Sequence, residues 1–404
     1  MIKAANRTKN FTYAIRNIVG EAKKIEAEGK KVTYLNIGDP VPYGFNTPTH
    51  LVEAVEKALR DGHNGYAPSP GILEAREAVA REAVNRGMKM SPDDVIITSG
   101  ASEAADIVLS SMLEPGDEVL VPSPGYPLYT AILAKLGAKE VSYRLDPKNN
   151  WQPSIDDIRA LINNRTRAIV IINPNNPTGA IYSKENLLEV LSVANQAGLV
   201  ILADEVYWRM AYESPAPPIA SLVDESVPVI TFESMSKIYL APGWRVGWMK
   251  ISNPHLMTDL KVGINKMADA RLCSARPPQH AVAAALDGDH SYLEDVMNRF
   301  RARRDLSHQR INAIEGMNCT LPQGAFYLMA QMEQLGDATD EQFVISLLRE
   351  TGVLFVHGSG FGMDAKDGYF RIVYLPELDV LNEVYDRLAE FVHNWQARSK
   401  GAVG

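Results

Sequence analysis

Between Pro92 and Met249 the chain repeats one pattern: a short apolar run, then a helical stretch. The runs lie at 95–98, 118–121, 168–172, 200–203, 229–232 and 246–249. Most are continuous rather than alternating in polarity, as strands covered on both faces must be. Such strands fit only inside a sheet wrapped by helices. The expectation is an α/β fold with a mainly parallel central sheet.

The flanking segments read differently. Residues 11–31 predict an amphipathic helix, with Ile15, Ile18, Val19, Ala22 and Ile25 at helical spacing. A Pro/Gly-rich loop at 38–44 separates it from a second helix at 48–61. After Asp287 comes a long charged helical stretch, 294–315, and then strand-like runs at 325–330, 353–356 and 369–374. A smaller α+β domain is expected there, joined by the N-terminal segment because chain termini often lie close together. The expected division is 47–287 for the large domain, with 1–46 and 288–404 forming the small one.

Composition narrows the class of function. The 404 residues are 46% hydrophobic and 22% charged, which excludes a mainly disordered chain. The net charge of −8 and the lack of any long basic run argue against a nucleic-acid partner. The longest apolar runs are too short to span a bilayer, and the first ten residues lack the apolar core of a signal peptide. Cys273 and Cys319 are the only cysteines, too few for a disulfide framework or a cysteine metal site. A soluble cytoplasmic protein with no metal and no membrane partner is expected.

The chemistry gathers where the strands end, since ligands of open α/β sheets sit beyond the carboxyl ends of the strands. Run 168–172 leads into Asn173-Pro174-Asn175-Asn176-Pro177-Thr178-Gly179, and run 200–203 into Asp204-Glu205-Val206-Tyr207. Run 229–232 leads into Ser234-Met235-Ser236-Lys237, with Arg245 following. Run 95–98 leads into Ser99-Gly100-Ala101-Ser102, a helix start with free N–H groups. One crevice would then hold an acid, an amine, an amide, phenols, a guanidinium and an anion-binding helix end. That set suits an anionic aromatic cofactor better than a metal.

These motifs, with Gly243-Trp244-Arg245 and Val356-His357-Gly358-Ser359-Gly360-Phe361-Gly362, resemble the class I/II aminotransferases, pyridoxal-phosphate enzymes of fold type I. The alanine aminotransferase branch is the nearest in pattern. The resemblance spans nearly the whole chain, and the order and spacing of the motifs make it specific. It implies that Lys237 forms the Schiff base with the aldehyde of pyridoxal 5′-phosphate and acts as general base. Asp204 would pair with the pyridine nitrogen, and Tyr207 and Asn176 with the phenolic oxygen. The phosphate would be held by the N–H groups of Ala101 and Ser102, by Ser234 and by Arg245. Tyr126 would stack on the ring. Tyr66 would reach the phosphate of a neighbouring subunit, making a homodimer the active form. Arg371, with the backbone at Gly38 and with Asn176, would receive the substrate carboxylate. The reaction implied is ping-pong transfer of an amino group from an L-amino acid, best matched by alanine, to a 2-oxo acid, best matched by 2-oxoglutarate.

Two other readings share these residues. A lyase, synthase or oxidase could use the same scaffold, and aspartate or an aromatic amino acid could replace alanine as donor. A regulatory protein that kept the fold would need an appended DNA-binding module, for which the resemblance leaves no room. Three residues depart from the nearest family pattern: Trp208, where an acidic residue is expected; Arg276, where a small or amide residue is usual; and Arg271, on a segment that borders the pocket in some members. Either arginine is a candidate for the distal carboxylate of a dicarboxylate substrate.

Overall fold

The apolar runs between residues 95 and 249 all become strands of one eight-stranded sheet. The computed structural model describes residues 2–9 and 14–401. The chain opens with α1 (Ala14–Ala27), β1 (Thr33–Tyr34), α2 (Thr49–Arg60) and α3 (Leu73–Asn85). It continues through β2 (Val95–Thr98), α4 (Ala101–Met112), β3 (Glu118–Ser123), α5 (Pro127–Leu136), β4 (Lys139–Asp146) and β5 (Gln152–Pro153). Next come α6 (Ile155–Leu161), β6 (Thr166–Ile172), α7 (Lys184–Gln196), β7 (Val200–Asp204), β8 (Val229–Ser234) and β9 (Gly247–Ser252). The strand order is β2-β9-β8-β7-β6-β3-β4-β5. The pairs from β8 to β4 are parallel, while β9 runs antiparallel to both of its neighbours.

Burial explains the unbroken polarity of these strands. In β6, Ala168, Val170 and Ile172 pack with residues of α4 and α5 and with Ile264, whereas Ile169 and Ile171 pack with residues of α6 and α7. Strand β4 escaped notice because it lies toward the sheet edge. Its charged residues are partly exposed there, so it needs no apolar run.

The remaining elements are α8 (Thr258–Ala270), α9 (Arg276–Gln279), α10 (Ala281–Asp287), α11 (Tyr292–Asn312), β10 (Met317–Cys319) and β11 (Tyr327–Met332). They are followed by α12 (Asp340–Thr351), β12 (Val353–Leu354), β13 (Val356–His357), β14 (Tyr369–Val373) and α13 (Leu378–Gly401). Strands β10, β11, β14 and β13 form an antiparallel sheet in that order. The strand expected at 325 begins at Tyr327, because Ala325 sits at φ 55, outside extended geometry. The run 353–356 divides at Phe355, with β12 pairing with β1 and β13 with β14. Helix α1 buries Ile18, Ala22 and Ile25 as its spacing requires. Its expected start at Phe11 lies outside the described residues, as does the Ile15 side chain.

The N-terminal segment is tied to the C-terminal part by backbone. Thr33 and Tyr34 pair in parallel with Val353 and Leu354. Leu35 then donates to the Leu354 carbonyl at 3.0 Å and accepts from the Val373 N–H at 3.0 Å. These bonds bring residues 36–38 alongside β14.

Behind β7 and β8 lies a buried set of charges. Arg86 of α3 donates to Glu205 at 2.8 Å and to Glu233 at 2.6 Å. Lys250 and Trp248 of β9 also donate to Glu233, at 2.7 and 2.9 Å. Burial works against the Glu233 charge, but Lys250 and Arg86 outweigh it and hold the carboxyl well below its ordinary range. Trp208 packs its ring 3.8 Å from the Arg86 guanidinium, which accounts for an indole at that position. Replacing Arg86 by Ala would leave buried Glu205 without its cationic partner and Glu233 with Lys250 as its remaining close cation, so Arg86→Ala should lower the unfolding free energy by about 3–5 kcal/mol in chemical denaturation. A loss below about 1 kcal/mol, the range of exposed pairs, would show that the network is dispensable.

Candidate active site

A cavity of about 1070 Å³ opens beyond the carboxyl ends of β6, β7 and β8, at the start of α4. It brings together Gly38, Ala101, Ser102, Tyr126, Asn176, Asp204, Tyr207, Ser234, Lys237, Arg245 and Arg371. Of the residues the family resemblance places around the cofactor and the substrate carboxylate, Tyr66 stands apart, 78% exposed at the surface.

Asp204 ends β7, opposite Ile172 of β6 and Phe232 of β8. Its carboxylate accepts from the Tyr129 hydroxyl at 3.0 Å and from the Val206 N–H at 3.4 Å. Burial pushes the carboxyl up to about 6, although both hydrogen bonds favour the charge. Among the described residues no cation offsets this, and Glu205 adds to it. A buried acid lining a cavity without a positive partner fits a protonated pyridine nitrogen.

Lys237 follows β8 by one turn of chain, and its Nζ donates to the Gly38 carbonyl at 2.5 Å. Burial lowers the amine to about 8; Asp39 opposes that shift, and Arg371 and Arg245 reinforce it. Burial thus favours the neutral amine that a nucleophile or base requires.

The anion cradle is built at the other end of the cavity. Gly100, at φ 81, precedes the free N–H groups at the start of α4. A Cβ on Gly100 would collide with the Arg245 guanidinium, which rests on it and donates to the Ser99 carbonyl at 3.3 Å. Ser234 is buried at the same rim, its Oγ accepting from the Ser236 N–H at 3.3 Å. Helix N–H groups, a hydroxyl and a guanidinium thus converge as a phosphate requires.

Arg371 closes the opposite wall from the middle of β14, paired with Met329 of β11 and Val356 of β13. Its guanidinium donates to Asn176 Oδ1 at 2.9 Å and to the Asn36 carbonyl at 2.5 Å. The Tyr327 and Phe361 rings lie 4.8 and 4.7 Å from it. Tyr327 also joins the Tyr207 hydroxyl at 2.7 Å. Its own hydroxyl occupies the space a Cβ on Gly38 would need, so glycine is required there. Tyr126 caps α5 and packs against Val356 and Phe361.

Neither departing arginine lines the cavity. Arg271 donates to the backbone carbonyls of Ile97 and Ser69 at 2.8 and 3.2 Å and lies 3.6 Å from Glu103. Arg276 meets His63 at 3.3 Å and the Tyr66 carbonyl at 3.4 Å, beside the exposed tyrosine. Sequence reasoning missed Tyr129 and Tyr327. Tyr129 lies one helical turn after Tyr126, a spacing that could have flagged it; Tyr327 depends on strand register that no motif carries. Among the described residues no cluster of His, Cys, Asp and Glu could hold a metal, and no helix is long and apolar enough to cross a membrane.

Because its folded value is raised, Asp204 contributes most to stability when protonated, below its ordinary 3.8, and loses that contribution as pH rises through about 6. In the cofactor-free protein, Asp204→Asn should raise the unfolding free energy by about 2–3 kcal/mol at pH 8 and by little at pH 4. An equal gain at both pH values in denaturation experiments would rule out ionisation as the cause.

The comparisons agree with this geometry. The family model for aminotransferase class I and II matches residues 30–390. A glutamate-pyruvate aminotransferase (AlaA) of Haemophilus influenzae is 38% identical, covering 97% of this chain and 98% of that protein. An alanine aminotransferase of Mycobacterium bovis is 37% identical over 96% of this chain and 92% of its own. The solved alanine aminotransferase of Pyrococcus furiosus superposes with a TM-score of 0.94 at 42% identity, covering 97% of this chain and all of the other. With the match running through every strand that shapes the cavity, the chain belongs to the class I and II aminotransferases, enzymes that work with pyridoxal 5′-phosphate.

Proposed function

We propose that this aminotransferase moves the amino group of L-alanine to 2-oxoglutarate, as a cytoplasmic homodimer. The observation that carries the reading is the position of Lys237, its Nζ within the cavity that Asp204, Arg245 and Arg371 also line. The choice of substrates is supported by the names of the relatives, which act on alanine or on glutamate and pyruvate. The cytoplasm suits two cysteines that stand as free thiols. In the same reading, residues 47–287 form the large domain, and 1–46 with 288–404 the small one. This division is supported by the pairing of β1 with β12.

The cofactor, when bound, supplies a ring that accepts the electrons left on the substrate Cα when its proton departs. The chain supplies the rest. Ala101, Ser102, Ser234 and Arg245 would hold the phosphate, and Asp204 would keep the pyridine nitrogen protonated. Asn176 and Tyr207 would bind the phenolic oxygen, and Tyr126 would pack against the ring. Arg371, with Asn176 and the Gly38 backbone, orients the carboxylate that every substrate shares. Lys237 Nζ would serve as the base that takes the proton from the substrate Cα, a role its amine at about 8 permits. Tyr66 completes the phosphate site of a partner subunit, which accords with its exposure. Since donor and acceptor use one cavity in turn, the kinetics are ping-pong.

The substrate reading is tested by single-turnover kinetics of each half-reaction. Alanine should convert the loaded enzyme to its aminated form, and 2-oxoglutarate should return it. Arg371→Ala should slow both by similar factors, about 10²–10⁴-fold, the cost of leaving a desolvated carboxylate unpaired. If alanine fails where another donor succeeds, the assigned donor is wrong; if either half-reaction survives Arg371→Ala, the carboxylate anchor lies elsewhere.

The dimer reading is tested by subunit exchange between Lys237→Ala and Tyr66→Phe proteins. One site of each heterodimer would then carry both native residues, and activity should return above that of either variant. Verified heterodimers without recovery would show that Tyr66 does not serve the neighbouring site.

A further inference from the structure

Tyr327 touches more of the assigned site than any of its own β11 neighbours, yet it has no role in the reading above. In the register of β11 against β14, Tyr327 pairs with Val373 and Met329 with Arg371, so Tyr327 and Arg371 are diagonal neighbours on one face. Its ring lies 4.8 Å from the Arg371 guanidinium and meets the Tyr207 ring edge-on with centroids 5.6 Å apart. Its hydroxyl stands against Gly38, whose carbonyl receives Lys237, and lies 2.7 Å from the Tyr207 hydroxyl. By distance alone, either phenol could be the donor of that bond.

The proton count decides the direction. Tyr207 has one hydroxyl proton and cannot give it both to Tyr327 and to a ligand in the cavity. We propose that Tyr327 is a positioning residue for Tyr207: its hydroxyl donates to the Tyr207 oxygen, so that the Tyr207 proton points at the phenolic oxygen of the bound cofactor. The proposal rests on the assignment of that oxygen to Tyr207. Burial keeps Tyr207 a neutral phenol far above its usual range, so it has a proton to give across the working pH. A donor that itself receives a hydrogen bond is polarised and binds its acceptor more strongly, by about 10–30% per bond. The charged and titratable groups around the pair are Tyr126 and Asp204 at Tyr207, Arg371 at the Tyr327 ring, and Lys237 with Asp39 and Arg245 around it. None of them changes in the variants compared below.

The test is the pH titration of the visible absorption of the holoenzyme, together with the dissociation constant of pyridoxal 5′-phosphate. A donor on the phenolic oxygen favours its anionic form, so weakening that donor moves the midpoint to higher pH. Tyr207→Phe should raise the midpoint most. Tyr327→Phe should raise it in the same direction by less, and weaken cofactor binding about two- to fivefold, consistent with loss of one neutral hydrogen bond. If Tyr327 acts through Tyr207, the double variant Y207F/Y327F should titrate like Tyr207→Phe alone. A wild-type midpoint in Tyr327→Phe, or a double variant that adds the two shifts, overturns the proposal. An unchanged midpoint in Tyr207→Phe would instead remove the phenolic oxygen from Tyr207, and the inference would fall with that assignment.

Discussion

The site depends on the in-register pairing of three parallel strands whose ends lie level. Ile172, Asp204 and Phe232 stand side by side across β6, β7 and β8. Because both faces of the sheet are close-packed, a slip of any strand would exchange the residues of its two buried faces and break the packing on each. Asn176, Asp204, Tyr207, Ser234 and Lys237 therefore leave the sheet at one rim, at heights set by hydrophobic packing. Arg86 and Lys250 hold the same strands from behind through Glu205 and Glu233, with Glu205 immediately after Asp204.

Against that fixed rim, the cavity keeps groups in states that the folded protein alone disfavours. Asp204 is an acid whose charge is opposed by burial, and Lys237 an amine whose charge is opposed likewise. In the proposed reading, both costs would be offset when a ligand brings a cation to one and a carbonyl carbon to the other. The cavity thus trades stability of the empty protein for readiness toward its cofactor.

Much of this was legible in the sequence because the chemistry sits directly after the strands. Asp204 and Lys237 follow apolar runs, so the strand assignment located them to within a residue or two. Ser102 was readable for the same reason, whereas Arg245, well beyond the end of β8, was marked by the family resemblance. What could not be read depends on distant parts of the chain meeting. Tyr327 approaches Tyr207 only through the register of β11 with β14. Arg271 was a candidate for the distal carboxylate, but its Nη2 is turned to the Ile97 and Ser69 carbonyls, a backbone arrangement no motif carries. Trp208 looked out of place until Arg86, more than a hundred residues earlier, was found beneath its ring. Strand β4, next to the edge strand β5, was missed because exposure removes the apolar signal that marked its neighbours.

The pairing of β1 with β12 has a consequence for the order in which the protein can come into being. Thr33, Tyr34 and Leu35 find their backbone partners at Gly352, Leu354 and Val373, and Asn36 finds Arg371. During synthesis from the N-terminus, the sheet from β2 to β9 is complete long before any of those partners emerges. The rim bearing Asp204 and Lys237 can therefore be assembled while the segment around Gly38 still has open hydrogen-bonding groups and nothing to dock against. The carboxylate anchor proposed above would therefore be completed last, when residues 35–36 dock against β14 and Arg371.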